Sequence, residues 1–339
     1  DAGYRTDNLD VPLGRLTLDV GSRRFVARNR PRNTLNGFTG INARWTLPGR
    51  RSLQAFLTMP TARLPNNLER GKLRGNDFVL DQEHGERVFW GLYLSGIGFS
   101  SVFETDWYLF GIHEEDRPSL PTRNRDFLTA GLRVRKSTDL WSFEFETALQ
   151  SGETRATLLP LDVTDLDHRA WFAHAELSRD LPGSWAPSVI LRLDYASGDK
   201  DPDDGEFNRF DTLFGARRWE FGVTGIHGVF ARSNIMSPGL GLRMKPRPSL
   251  DLRFDYRPAW LASDRDFLPT AGLRDRDGNS GSFIGQQLDA RLRWKPADAN
   301  LSVDITAAYL WKGEFLTDAP LAPPDDNTLY WYFSANLAF

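Results

Sequence analysis

The sequence predicts an all-β chain, a transmembrane antiparallel up-and-down β-barrel of about fourteen strands, with residues 1–339 as a single outer-membrane domain. Three observations carry that expectation. Apolar and polar residues alternate with a period of two along the whole chain, as they do on a sheet with one greasy and one wet face. The connections between these segments alternate short and long. No residue on the apolar face of any segment is charged.

The segments run in order. LGRLTLDV puts Leu16, Leu18 and Val20 on one face, with Arg15, Thr17 and Asp19 on the other. INARWTL presents Ile41, Ala43, Trp45 and Leu47, and SLQAFLTM presents Leu53, Ala55, Leu57 and Met59. RVFWGLYL follows, then VFETDWYLF, where Phe103, Thr105, Trp107 and Leu109 alternate with Glu104, Asp106 and Tyr108. FLTAGLRVR, WSFEFETALQ, AWFAHAELS and SVILRLDYA behave alike, as do GLGLRMK, SLDLRFDYR, QQLDARLRWK and LSVDITAAYLW. The closing run, YWYFSANLAF, sets Trp331, Phe333, Ala335, Leu337 and Phe339 on one side and is expected to close the barrel against the first strand. Each segment approaches the ~9–11 residues with which a tilted strand crosses a bilayer.

The short connections lie at 47–51, 96–98, 136–139, 179–187, 245–249 and 296–300; the long polar ones lie at about 61–86, 113–126, 152–167, 198–232, 261–283 and 313–328. Outer-membrane barrels have short periplasmic turns and long outer loops, whereas a soluble sandwich has no reason to sort its loops by parity. Both termini are thereby expected on the periplasmic side. Trp45, Trp141 and Trp294 fall at inner strand ends and Trp90, Trp171, Trp260, Trp311 and Trp331 at outer ends, two belts at headgroup depth. An Arg or Lys on the lipid side would cost ~2–4 kcal/mol at the midplane, which explains why the apolar face excludes them.

Composition excludes other classes. The formal charge is −3, so nothing points to nucleic acid, and with no cysteine there is neither a disulfide framework nor a thiolate metal site. No stretch approaches the ~18 apolar residues of a membrane helix, a scan to which barrel strands are invisible. With no leader ahead of Asp1, the sequence reads as a mature or trimmed product addressed to the bacterial outer membrane. The alternation of Phe333, Ala335 and Leu337 up to a terminal Phe339 resembles the C-terminal signature that the barrel-assembly machinery recognises.

If the apolar face meets lipid, the alternate residues line the lumen: Arg15, Arg44, Arg133, Arg135, Arg192, Arg243, Lys245, Arg253, Arg257, Arg291, Arg293 and Lys295, with the acids Asp19, Glu104, Asp106, Glu144, Glu146, Glu176, Asp194, Asp251, Asp255, Asp289 and Asp304. The totals nearly cancel, so distribution matters more than sum. Arg135, Arg192, Arg253 and Arg293 are candidates for a basic wall, because a guanidinium fork suits carboxylates and a constricted basic ring selects anions. Pairing across strands to brace the wall is the competing reading of the same charges, above all for Arg192/Asp194, Arg253/Asp255 and Asp289/Arg291.

Two stretches carry a family resemblance. RLTLDVGSRRFVARNRPRNTLNGFTGINARW resembles the strand-loop-strand signature of the alginate-export family of outer-membrane barrels, and FNRFDTLFGARRWEFGVTGIHG looks like the large outer loop of its members. The resemblance implies an Arg-lined conduit passing an anionic polysaccharide outward by diffusion. It singles out Arg23, Arg24 and Arg28 beside the first strand, and Arg217 and Arg218 in the large loop. Family members resemble barrels of roughly eighteen strands, within the range of outer-membrane barrels; on that count the chain either lacks its first hairpins or is a smaller barrel.

The expected function is an outer-membrane channel for an anionic polysaccharide or a related small anionic solute. The alternatives are a general porin, or a non-transporting adhesin or scaffold working through its long loops. Partners are the lipid bilayer and the assembly machinery; the state expected is a monomer, without a cofactor. No enzyme is expected, since HGERV, GIHEEDR and DHRAWFAH match no zinc pattern and neither a nucleophile elbow nor a phosphate loop is present. In SGDKDPDDGEFN, Asp199, Asp201 and Asp203 are candidate calcium ligands, but Gly205 falls one place late for an EF-hand and a solvated outer loop is the preferred reading.

Overall fold

The computed structural model describes residues 2–29, 35–65, 70–99, 103–117, 121–159, 161–216, 220–222, 228–296, 300–324 and 326–338. Its strands are β1 (Ala2–Arg5), β2 (Leu9–Leu16), β3 (Phe38–Leu47), β4 (Arg51–Pro60), β5 (Arg87–Phe99), β6 (Phe103–Glu114), β7 (Asp126–Ser137), β8 (Trp141–Thr154), β9 (Leu166–Asp180), β10 (Ser188–Ala196), β11 (Glu206–Phe207), β12 (Ile235–Arg247), β13 (Leu250–Trp260), β14 (Phe283–Trp294), β15 (Leu301–Lys312) and β16 (Thr328–Leu337). Two short helices, α1 (Arg70–Gly75) and α2 (Glu314–Asp318), sit in long connections. Each strand pairs with its sequence neighbours in one antiparallel up-and-down sheet, except that β10 pairs with β12 and the two-residue β11 lies on β9.

The fourteen expected segments correspond to β2–β10 and β12–β16; β1 and β11, four and two residues long, are too short to show a period. Short and long connections alternate as expected, and among the described residues no helix is long and apolar enough to cross a membrane. Alternation sorts the faces sharply. On β10, Leu191 and Leu193 are 53% and 50% exposed while Arg192 and Asp194 are buried.

Two expectations are corrected. Among the described residues the last strand does not pair with the first: the order ends at β1 on one side and β16 on the other. The first strand is also out of phase by one. It ends at Leu16, and the register that sets Leu9 opposite Trp45 and Leu13 opposite Ile41 puts Leu9, Val11 and Leu13 on the outer face. A shift of one residue exchanges faces throughout a strand. Arg15 therefore shares the side of Leu13, while Leu18 and Val20, expected against lipid, are 1% and 3% exposed.

The chain divides into two compact units. The first comprises Asp1–Leu132, Leu149–Arg169 and Thr212–Ala216. Its inner face carries an aromatic cluster in which Phe89 has ring centroids of Phe214, Phe56, Phe38 and Phe110 at 4.8, 5.2, 6.2 and 6.2 Å. The segment after β2 folds onto this cluster: Phe25 lies 5.6 Å from Tyr108, and Val26 forms a parallel bridge with Phe214. Leu18 and Val20 are buried in the same segment, which is where their hydrophobicity is used. The second unit comprises Arg133–Ala148, Ala170–Asp211 and Arg217–Phe339. Its outer face shows Leu240, Phe254, Leu288, Ile305 and Phe333, and its inner face is charged.

Candidate functional site

The charged inner face of the second unit is built by β9, β10 and β12–β15. Register places Arg192 of β10 opposite Glu176 of β9, and their side chains pair at 2.6 Å. Arg192 also reaches past β12 to Asp255 of β13, again at 2.6 Å, and Arg257 of β13 returns across the same strand to Asp194 of β10 at 2.6 Å. Both crossings pass over residues without side chains, Gly239 and Gly241, which face Arg192 and Ile190 in the ladder. A Cβ on Gly241 would lie 2.9 Å from Asp255 Oδ1 and 3.1 Å from Arg192 Nη1, so any side chain here would press on both ends of the bridge. His174 Nδ1 contacts the other oxygen of Asp194 at 2.7 Å. The side chains of Arg192 and Arg257 are 3% and 5% exposed. These two are wall braces.

Nearer the short-turn ends the pattern changes. Arg243 of β12 stands opposite Arg253 of β13, and Arg253 opposite Arg291 of β14, so three arginines form a row in register. Arg293, two places along β14, adds a fourth on the same face. Like charges directly opposite one another destabilise a sheet. Carboxylates relieve part of this: Asp255 accepts from Arg253, and Asp304 from both Arg291 and Arg293 at 2.7 and 3.1 Å. Arg243 is exposed and makes no ion pair among the described residues, while Arg253, Arg291 and Arg293 are 22%, 25% and 38% exposed. Asp251 stands opposite Arg293 in the ladder, which leaves Arg243 as the arginine of this row without an ion pair among the described residues.

The other expected residues are dispersed. In the first unit Arg28 pairs with Asp19 at 2.7 Å, and Arg44 reaches the Asp19 carbonyl at 3.5 Å. Arg24 is buried beside Arg23, whose carbonyl accepts from the Ala216 amide. Arg15 pairs with Glu83 at 2.5 Å on the outer side, and the Thr39 hydroxyl holds the Glu83 carboxyl below the usual carboxylate range. Arg133 pairs with Glu144 in the second unit, and Arg135 lies half-buried on the same strand. Arg217 and Arg218 lie outside the described residues.

The aspartates weighed for calcium do not converge. Asp203 is engaged by Arg276 at 2.6 Å, and Asp201 accepts from the Asp203 amide in a turn. Asp199 is buried, its amide donating to Asp266; burial, and then the Asp266 charge, push its carboxyl up to about 6. A different grouping escaped the sequence reading. His174, Asp194 and Glu220 bring ligating atoms within 4.8 Å of one another, but Arg257 and Arg232 already neutralise the two carboxylates. Only the pairing of three distant segments brings them together.

Comparison with known proteins fits this architecture. Solved outer-membrane proteins of Pseudomonas aeruginosa share the fold: OccK10 (OpdN) at 12% identity and TM-score 0.60, with 99% of this chain and 82% of that one covered; OccK2 (OpdF) in complex with glucuronate at 13% and 0.59, covering 98% and 79%; and OpdK with vanillate at 12% and 0.57, covering 98% and 78%. No curated protein matches. The alginate export family model matches residues 3–326, nearly the whole chain. With its up-and-down strands, apolar outer face and charged inner face, the chain belongs to the alginate export family of channels in the bacterial outer membrane.

Proposed function

We propose that the protein is an anion-selective channel that passes an anionic polysaccharide, or a related small anionic solute, along an Arg-lined lumen, with residues 1–339 acting as one barrel domain. The observation that carries this reading is the row Arg243, Arg253 and Arg291, like charges held in register with Arg293 beside them, in which Arg243 makes no ion pair among the described residues. Rows of arginine favour anions at a constriction. The two solved neighbours named with glucuronate and vanillate bind carboxylates, the chemistry that such a row accepts bidentately. A monomer in the lipid bilayer, inserted by the barrel-assembly machinery, completes the proposal.

The test is the reversal potential of the protein in planar bilayers under a salt gradient. Chloride should be favoured over potassium, Arg243→Gln should move the ratio toward unity, and an alginate oligomer on one side should block the current. Equal permeabilities in the unaltered protein would overturn the selectivity. A general porin is the second reading, favoured by the acids that engage most arginines on this face.

A further inference from the structure

A β-bulge near the end of β12 re-aims one arginine of the second unit. From Met244 to Arg247 the chain takes three steps while its partner β13 takes two, from Leu252 to Leu250. The extra residue exchanges the faces beyond it. Arg243 therefore stands on the inner face opposite Arg253, but Arg247 stands opposite Leu250, which in turn stands opposite Trp294. Directly opposed residues share a face, so Arg247 lies on the outer, lipid-facing side at the short-turn end of the sheet. The row continues through Val303 and Ala335 and contains no carboxylate. Arg247 is exposed and makes no ion pair among the described residues, and Trp294 is 44% exposed. Two exposed lysines add to the charge: Lys245 lies two residues before Arg247, and the Lys295 amide donates to the Ser249 carbonyl of the adjoining turn at 2.8 Å. The pairing of cation and indole recurs on β9, where exposed Arg179 sets its guanidinium carbon 4.8 Å from the ring centre of Trp141.

We infer that Arg247 and Trp294 bind the headgroup of an anionic phospholipid in the leaflet that faces the periplasm. Short turns mark that side of an outer-membrane barrel, and a cation costs little there because its stem lies along apolar surface while its charge reaches the headgroups. Indoles settle at the same depth. Arg247 and Trp294 are two strand spacings apart, about 10 Å, with Leu250 between them, so a phosphodiester can lie over Leu250 and its acyl chains along Leu252 and Leu292. The guanidinium fork takes two phosphate oxygens. A phosphatidylethanolamine would bring its ammonium into the field of Arg247, Lys245 and Lys295; a phosphatidylglycerol brings only phosphate and hydroxyls. The site therefore prefers the lipid with net negative charge. It belongs to the wall, and stands whatever the lumen passes.

The experiment is native mass spectrometry of the full chain released from nanodiscs of equal phosphatidylglycerol and phosphatidylethanolamine. Retained phosphatidylglycerol should exceed phosphatidylethanolamine about fivefold, the worth of one cation at an anionic surface. Arg247→Gln should bring the ratio close to one and Arg247→Lys should keep most of it, both variants retaining the heat-modifiable gel shift of the folded barrel. Arg50→Gln, at an exposed turn arginine of the first unit, should leave the ratio unchanged. Equal retention of the two lipids by the unaltered protein would overturn the ligand class. A preference that survives Arg247→Gln, or that falls as far in Arg50→Gln, would overturn the location.

Discussion

Replacing Asp255 with asparagine removes the charge on which two strands converge while keeping the volume. Asp255 takes Arg192 at 2.6 Å and Arg253 at its other oxygen, and the Arg192 side chain is 3% exposed. Removing one partner of a buried pair costs ~3–5 kcal/mol, because the remaining charge stays in a dry place. Arg192 keeps Glu176 at 2.6 Å, and that carboxylate is 30% exposed and therefore hydrated, so the loss should fall at the low end of the range. About 3 kcal/mol is expected, on the order of 150-fold in the folding equilibrium. The assay is urea-induced unfolding from phospholipid vesicles, followed by tryptophan fluorescence, with Arg192→Met and the double variant completing a cycle. A loss below ~1 kcal/mol would put the pair among exposed surface bridges and refute its role as a buried brace.

Gly241→Val should destabilise although valine favours strands, since its Cβ would stand 2.9 Å from Asp255 Oδ1; a more stable variant in the same urea assay would contradict the crossing. Phe89→Ala should cost ~3–5 kcal/mol by emptying the centre of the first unit's aromatic cluster, with Leu57→Ala on the outer face as the milder control. Asp199 titrates in the loop after β10, and its folded value of about 6 lies above the ordinary 3.8. Because the folded state holds this proton longer, the stability it contributes is present below pH 4 and is lost as pH rises through 6. Asp199→Asn should flatten that slope in proteolysis of the loop between pH 4 and 8, and a slope that survives in the variant would assign it to another group.

Most of the wall was legible because lipid imposes a strict rule on every second residue, and Leu191/Arg192/Leu193/Asp194 obey it as written. The first strand misled for the same reason. Leu16, Leu18 and Val20 alternate like a lipid face, but burial under a folded-in segment asks for the same residues. Arg15 inherited that error and stands on the outer side with Glu83. Of the residues expected in a basic wall, Arg192 is buried between Glu176 and Asp255, while the row in which Arg243 faces Arg253 and Arg253 faces Arg291 is visible only once the register is known. Neither composition nor spacing says which residues of β12, β13 and β14 stand side by side.

The notch that Gly239 and Gly241 cut into β12 separates two kinds of arginine with different sensitivities to ionic strength. Those reaching through it are buried, while Arg243 is exposed, and exposed charges are screened over a Debye length that shrinks from about 10 Å at 0.1 M to about 3 Å at 1 M. Brine should therefore weaken the proposed preference between ions long before it loosens the wall. On that proposal, discrimination belongs to dilute surroundings, and mechanical integrity to all of them.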